Sequence, residues 1–211
     1  MEMRTSVTHP LRIDELRIDK FRGVIGLTFC PGKTQKNGWT GAWQRSLDLD
    51  LAAIKIWGAD AVVTLMESKE LDLYGVCDLP GKVQDLGMNW IHLPIQDEHA
   101  PTKQFDLAWQ MEGKVLVERL ISEQRILLHC KGGLGRTGTV AAKLLIEFGC
   151  SADEAIAMVR NARSDSIDFG QQENYVRKQR SSVWPDLGDR YSYRAKPVNL
   201  RAHRAISFAA R

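Results

Sequence analysis

The sequence predicts a single α/β domain in which a mostly parallel central sheet is flanked by helices on both faces. Three observations carry that expectation. Apolar runs of four to six residues alternate with longer segments of helical period, the pattern of strands joined by crossover helices. Those runs are continuously apolar, as strands covered on both sides are. The chain has 211 residues, enough for one sizeable core and short for two.

Taken in order, residues 24–29 (Val-Ile-Gly-Leu-Thr-Phe) read as the first strand, stopped by Pro31-Gly32. A polar loop over 33–41 leads into a segment from Ser46 with apolar residues at 47, 51, 54 and 57. That spacing is helical, and Gly58 stands where a helix C-terminus takes glycine. Residues 61–66 and 89–94 are the second and third strands, helical periodicity returns over 105–121, and 126–129 (Ile-Leu-Leu-His) is the fourth strand. The segment 137–148 places Val140, Ala141, Leu144, Leu145 and Phe148 on one helical face, with Gly149 after it. Ser151 and Glu154 form a capping-box pattern that opens one more helix.

Composition removes several function classes. Apolar residues at 44% and charged residues at 26% exclude wholesale disorder. No run approaches the roughly 18 uncharged apolar residues of a membrane span, and the charged N-terminus lacks the apolar stretch of a signal peptide, so a cytoplasmic protein is expected. Cys30, Cys77, Cys130 and Cys150 show neither a C-x-x-C pair nor disulfide-framework spacing and read as free thiols. Core packing is the expectation for Cys30, Cys150 and Cys77, with a reversible disulfide to Cys130 as the alternative for Cys77. The net charge of +3 is too small to argue for nucleic acid, but it is uneven: residues 177–211 carry +7. That basic tail reads as solvated, or as a dock for an acidic or phosphorylated partner. Nothing in the Cys/His spacing suggests a metal, and no cofactor is expected.

The chemistry sits in Ile126-Leu-Leu-His-Cys-Lys-Gly-Gly-Leu-Gly-Arg-Thr-Gly138. A buried strand ends at His129, a loop follows, and a helix is expected to begin near Thr137. Glycines 132, 133 and 135 let the N–H groups of Lys131, Gly132, Gly133, Leu134, Gly135 and Arg136 face one small volume, which also meets a helix N-terminus that favours an anion. A cysteine at the start of such a nest, Cys130, is expected to have its thiolate stabilised. Arg136 at its end offers a planar fork for two phosphoryl oxygens. A sulfur nucleophile beneath a cradled phosphoryl group is arranged for in-line transfer through a cysteinyl-phosphate. Thr137 is placed to hydrogen-bond the sulfur as it leaves. The literal G-x-G-x-x-G at 133–138 is an accident, because the acids after it fall at the start of a helix rather than at the end of a second strand.

His129-Cys130-x5-Arg136-Thr137 resembles the signature loop of the cysteine-dependent tyrosine and dual-specificity phosphatases. From Gly26-Leu-Thr-Phe-Cys-Pro-Gly through Leu93-Pro-Ile-Gln-Asp97 to Gln172-Glu-Asn-Tyr-Val, the chain resembles their kinase-associated (cyclin-dependent kinase inhibitor 3) group and its bacterial relatives. The resemblance implies a dual-specificity-phosphatase-like domain over 21–180, an N-terminal extension over 1–20 and the basic tail over 181–211. It implies hydrolysis of protein phosphotyrosine, with phosphoserine and phosphothreonine as further substrates. It places the general acid at Asp97 on the proline-bracketed loop 94–101, where Glu98 and His99 compete, and gives His129 a supporting role. It assigns Gln172 to positioning the attacking water, with Gln171 as competitor and Asp168 where relatives often carry an earlier glutamine. A phosphoinositide or small-molecule phosphatase is the rival: Lys131 suits a substrate with extra charge, whereas Leu134 stands where lipid-type loops usually carry a second lysine. Trp39 and Trp43, with Lys33 and Arg45, are candidates to wall a substrate pocket. A sulfurtransferase would not require Asp97, and a phospho-binding module would not require the nucleophile.

Overall fold

A parallel strand is reached only by a crossover, and helical segments supply one between successive strands. The computed structural model describes residues 3–18, 22–38, 41–168 and 170–183. It runs β1 (Asp14–Arg17), β2 (Val24–Phe29), β3 (Thr34–Gln35), β4 (Trp43–Gln44), α1 (Leu47–Trp57), β5 (Ala61–Thr64), α2 (Ser68–Leu73), α3 (Leu79–Asp85), β6 (Asn89–His92), α4 (Lys103–Ile121), β7 (Arg125–Cys130), α5 (Gly135–Glu147), α6 (Ala152–Ala162) and α7 (Gln171–Lys178). The main sheet has the order β1-β2-β7-β5-β6, parallel except where β1 pairs antiparallel with β2. β3 and β4 form a separate two-stranded ribbon.

β7 is central. Leu127 lies opposite Gly26 on one side and Val62 on the other, and Ile126, Leu127 and Leu128 are fully buried. The strand therefore carries Cys130 to the carboxyl edge of the sheet, beside Phe29 of β2. In open parallel sheets that edge is where ligands bind. Helices cover both faces, and α5, which leaves that edge, is buried along nearly its whole length.

Part of the segment expected as an N-terminal extension belongs to the sheet: Asp14–Arg17 is its edge strand, and Leu16 and Ile18 are in the core. Its sequence, Asp-Glu-Leu-Arg, hides this because Leu16 is its one buried residue, and charges on an edge strand guard it against pairing with another chain. At the other end, Glu147 holds residues 181–183, accepting from Ser181 Oγ (3.0 Å), the Ser182 N–H (2.8 Å) and the Val183 N–H (3.2 Å) as well as Trp109 Nε1 (3.0 Å). The rest of the basic tail, with its expected docking role, and Trp39 lie outside the described residues. Among the described residues no helix is long and apolar enough to cross a membrane.

Arg45 is not open to a substrate. Its fork bonds both carboxylate oxygens of Asp50 (2.7 and 2.8 Å), and its remaining donors reach the carbonyls of His9 and Thr5. The same Asp50 accepts the Gly32 N–H at 2.8 Å, so the pair pins the loop after β2 to α1. Both side chains are essentially unexposed, and removing one partner strands the other charge in the interior. Asp50→Ala is therefore expected to lower unfolding free energy by about 3–5 kcal/mol, as read from urea denaturation.

Candidate active site

The loop after β7 is shaped by what lies under it. Gly133 has φ +71°, and a Cβ there would stand 2.4 Å from the carbonyl carbon and oxygen of Thr28. The loop thus folds back onto the end of β2, and the Gly133 N–H comes to donate to Cys130 Sγ at 3.2 Å. Gly135 is needed for space: a Cβ there would meet Asp168 Oδ2 at 2.4 Å and Gln172 Oε1 at 2.8 Å. Gly132 faces open space. Helix α5 starts at Gly135 rather than near Thr137, so Arg136 and Thr137 sit in its first turn. Its N-cap, Leu134, has no side-chain acceptor for the first N–H groups, which leaves that end of the helix fitted for an anion.

Arg136 is buried, with Nη1 and Nη2 donating to the two oxygens of Glu70 (2.6 and 2.9 Å) and Nη1 also to the Ile95 carbonyl (2.9 Å). Burial by itself lowers its proton affinity, but the Glu70 bond and the surrounding negative groups more than reverse this. Nη2 lies 2.8 Å from Asp97 Oδ1, and Lys131 Nζ donates to Asp97 Oδ2 at 2.5 Å. Burial raises the Asp97 carboxyl, yet the Lys131 bond and the Arg136 charge together hold it below the ordinary carboxylate range. Of the three candidates on that loop, Asp97 is the one brought to Arg136. Glu98 and His99 are exposed, and the His99 ring is bonded to the Asp97 carbonyl at 2.7 Å.

Gln172 is buried and Gln171 exposed. The Gln172 Oε1 accepts from the Asp168 N–H (3.2 Å) and from Thr139 Oγ1 (3.3 Å), and its Nε2 donates to the His99 carbonyl (3.1 Å), linking α7 to the acid loop. The Thr137 hydroxyl does not bond the sulfur here: it is buried without a hydrogen-bond partner, and the Gly133 N–H is the donor that reaches Sγ. Trp90 Nε1 donates to Thr64 Oγ1 (2.9 Å), which is hydrogen-bonded to His129 Nε2 at 2.8 Å. Burial, with the charge of Arg136, lowers the His129 imidazole to about 3, so it stays neutral.

Lys33 is buried under Phe29 and Trp43, with Nζ 5.1 and 4.7 Å from their ring centres and donating to the Lys131 carbonyl at 3.3 Å. It braces the loop instead of presenting a free charge to a substrate, and Trp43 is engaged in covering it. Cys30 and Cys150 are buried, but Cys77 is exposed in the turn between α2 and α3, correcting the expectation that it packs in the core. Sequence reasoning missed Glu70, the partner of Arg136. Its only signal was the Glu67-x-x-Glu70 spacing at the start of a short helix.

Residues 42–150 match the family described as "Polymorphic toxin system, DSP-PTPase phosphatase". Cyclin-dependent kinase inhibitor 3 of Sus scrofa is 30% identical over 186 residues, which is 86% of this chain and 82% of that protein. The Homo sapiens protein of the same name is 29% identical over the same shares of both chains. A crystal structure of kinase-associated phosphatase, with serine replacing its catalytic-site cysteine, superposes with a TM-score of 0.70 at 26% identity, over 88% of this chain and 98% of the other.

Two outcomes follow from the loop. Gly133→Ala meets both a strained φ and the Thr28 backbone, and is expected to abolish binding of a phosphate mimic such as vanadate, whereas Gly132→Ala keeps it; calorimetric titration checks both. His129, neutral when folded and near 6.5 when unfolded, takes up its proton only on unfolding. Its contribution to stability is therefore present above about pH 6.5 and falls as pH drops from there towards 3, by about 1.4 kcal/mol per pH unit. His129→Gln should remove that increment from the pH dependence of urea unfolding.

Proposed function

The chain belongs to the DSP-PTPase family of cysteine-dependent phosphatases, and from that premise we propose that it hydrolyses protein phosphotyrosine, and phosphoserine and phosphothreonine besides, through a cysteinyl-phosphate on Cys130. The observation that carries the reading is the convergence of Cys130 Sγ, the Arg136 fork and the Asp97 carboxyl on one loop of backbone N–H groups.

The phosphoryl oxygens bind the N–H groups of residues 131–136 and Arg136, whose fork is held in orientation by Glu70. The Cys130 sulfur attacks phosphorus, an S–P bond forms, and the P–O bond to the substrate breaks as Asp97 donates its proton to the leaving oxygen. With no substrate bound, Asp97 is kept ionised by Lys131 and Arg136. An arriving phosphate dianion engages Arg136 and places like charge beside Asp97, which raises its proton affinity when an acid is needed. Water, oriented by Gln172, then attacks phosphorus as its proton passes to the Asp97 carboxylate; the P–S bond breaks, inorganic phosphate leaves, and the sulfur returns as a thiolate that the unpartnered Thr137 hydroxyl is free to bond.

The one lysine of the loop, Lys131, half-buried and already paired with Asp97, and an uncharged Leu134 favour a singly phosphorylated protein residue over a multiply charged inositol headgroup. Relatives named as inhibitors of a cyclin-dependent kinase or as kinase-associated phosphatase fit a phosphoprotein substrate. Four free cysteines, one of them the nucleophile, suit the reducing cytoplasm.

Phosphate release from phosphotyrosine, phosphoserine and phosphothreonine peptides and from phosphoinositide vesicles, in EDTA and reductant, tests this reading. Cys130→Ser is expected to abolish release. Asp97→Asn is expected to slow substrates with poor leaving groups by roughly 10²-fold and good ones much less. Release that survives Cys130→Ser refutes the mechanism, and preference for phosphoinositides refutes the substrate.

A further inference from the structure

Of the buried cations, Arg45, Arg136 and Lys143 each have a carboxylate oxygen within 4.0 Å. Lys33, just ahead of β3, has none among the described residues. Its Nζ lies over the rings of Phe29 (5.1 Å) and Trp43 (4.7 Å) and donates to the Lys131 carbonyl at 3.3 Å. Rings and a carbonyl engage the ammonium, but they carry no net charge to match it. A buried ammonium left that way is costly.

Two sulfurs face it. Burial lowers the proton affinity of Lys33 below the ordinary amine range; Cys30 and Cys130 are the negative partners that oppose this, while the cations Arg45 and Lys131 add to it. Those cations are already matched, Arg45 by Asp50 and Lys131 by Asp97. Cys30 does not supply the anion: burial pushes its thiol up to about 12, and as a thiol it donates to the Pro31 carbonyl at 3.5 Å. The carboxylates facing Cys30, Asp50 and Glu70, are bonded to Arg45 and Arg136. Cys130 remains. It ends β7 opposite Phe29, whose ring Lys33 covers, and the carbonyl that Nζ bonds belongs to the very next residue. Arg136 faces Cys130 as well, but Glu70 and Asp97 meet that guanidinium with two carboxylates.

We propose that Lys33 is the counter-charge of the Cys130 thiolate, a positioning residue that acts on the reaction through the sulfur, from the β2 side of the phosphate loop; this rests on the reading of Cys130 as nucleophile. In the free protein the thiol gives its proton to water, and sulfur and ammonium balance each other in the interior. The Gly133 N–H at 3.2 Å orients the sulfur, and Lys33 supplies the full charge that a backbone dipole lacks. The same ammonium receives the sulfur again as a thiolate when the P–S bond breaks.

Alkylation by iodoacetamide requires the thiolate and reports it without turnover. Cys77 is also exposed, so the Cys130 peptide itself is read by mass spectrometry across a range from about pH 5 to about pH 10, on either side of an ordinary thiol. Lys33→Met keeps an unbranched chain against the two rings and removes the charge. It is expected to move the midpoint of the profile up by about one pH unit or more, slowing alkylation on the acid side roughly tenfold, with the alkaline limit kept within about twofold. Lys33→Arg keeps a cation over the rings and should hold the midpoint near that of the parent. An unmoved midpoint in Lys33→Met overturns the assignment. So does slowing by one factor at every pH, because a lost brace changes access to the sulfur and not its charge. Phosphate release that survives Cys130→Ser, with the profile shifted as expected, overturns the nucleophile reading and not the charge pairing.

Discussion

The buried pair between Arg136 and Glu70 is the interaction on which the site depends. A guanidinium with 1% of its side chain exposed must be matched where it lies, because an unpaired charge at that depth costs several kcal/mol. Glu70 meets it through both oxygens and also accepts the Glu67 N–H at 2.9 Å, which closes the first turn of α2. A six-residue helix has no stability of its own in water; this one persists because it is the counter-ion of the loop. The same guanidinium takes the Ile95 carbonyl at the root of the acid loop and Asp97 further along it. One cation therefore fixes α5, α2 and the acid loop together. The orientation of the fork, which the proposed chemistry needs for two phosphoryl oxygens, is settled before any substrate arrives.

That arrangement makes the resting site electrostatically complete. Asp97 stands where an anion belongs, bonded to Lys131 and Arg136, and both cations are satisfied. In the proposed mechanism a phosphate ester enters by exchange: it replaces a carboxylate with a dianion on Arg136 and the loop, and the displaced carboxyl finds itself beside new negative charge. Binding and the protonation of the proposed acid are then one event, since the partner that kept Asp97 ionised is the one the substrate takes.

The residues of the phosphate loop were legible because their geometry is local. Strand, cysteine, glycines, arginine and helix follow one another within thirteen residues, and the backbone alone brings Cys130 and Arg136 together. The four apolar strands and the capped helices were legible for the same reason: each has its own periodicity or its own cap, as Gly58 and Ser151 show. What stayed hidden is stabilised across space. α2 exists through Arg136. The edge strand exists through pairing with β2 and through Arg163, whose bond to Asp14 at 2.6 Å spans most of the chain. Arg45 looked free because nothing in its neighbourhood announces that Asp50 turns back to meet it. Cys77 misled because the turn that exposes it falls between two short helices without strong periodicity.

The glycines of the loop show how far a sequence pattern carries before contacts take over. Read along the chain, residues 132, 133 and 135 are equivalent sources of backbone freedom. In the folded protein Gly133 is fixed by its positive φ and by the Thr28 backbone, Gly132 by nothing within 4 Å, and Gly135 by the approach of two side chains from the far end of the domain. The absent Cβ at 135 is the opening through which Asp168 and Gln172 reach the loop. A side chain there would leave Cys130, Arg136 and Asp97 in place, and with them the first half of the proposed reaction, while pushing away Gln172, the residue proposed to orient the water. The two halves of the proposed chemistry thus rest on different parts of the fold: the transfer to sulfur on the strand–loop–helix unit around β7, and the hydrolysis on the docking of α7 against one glycine.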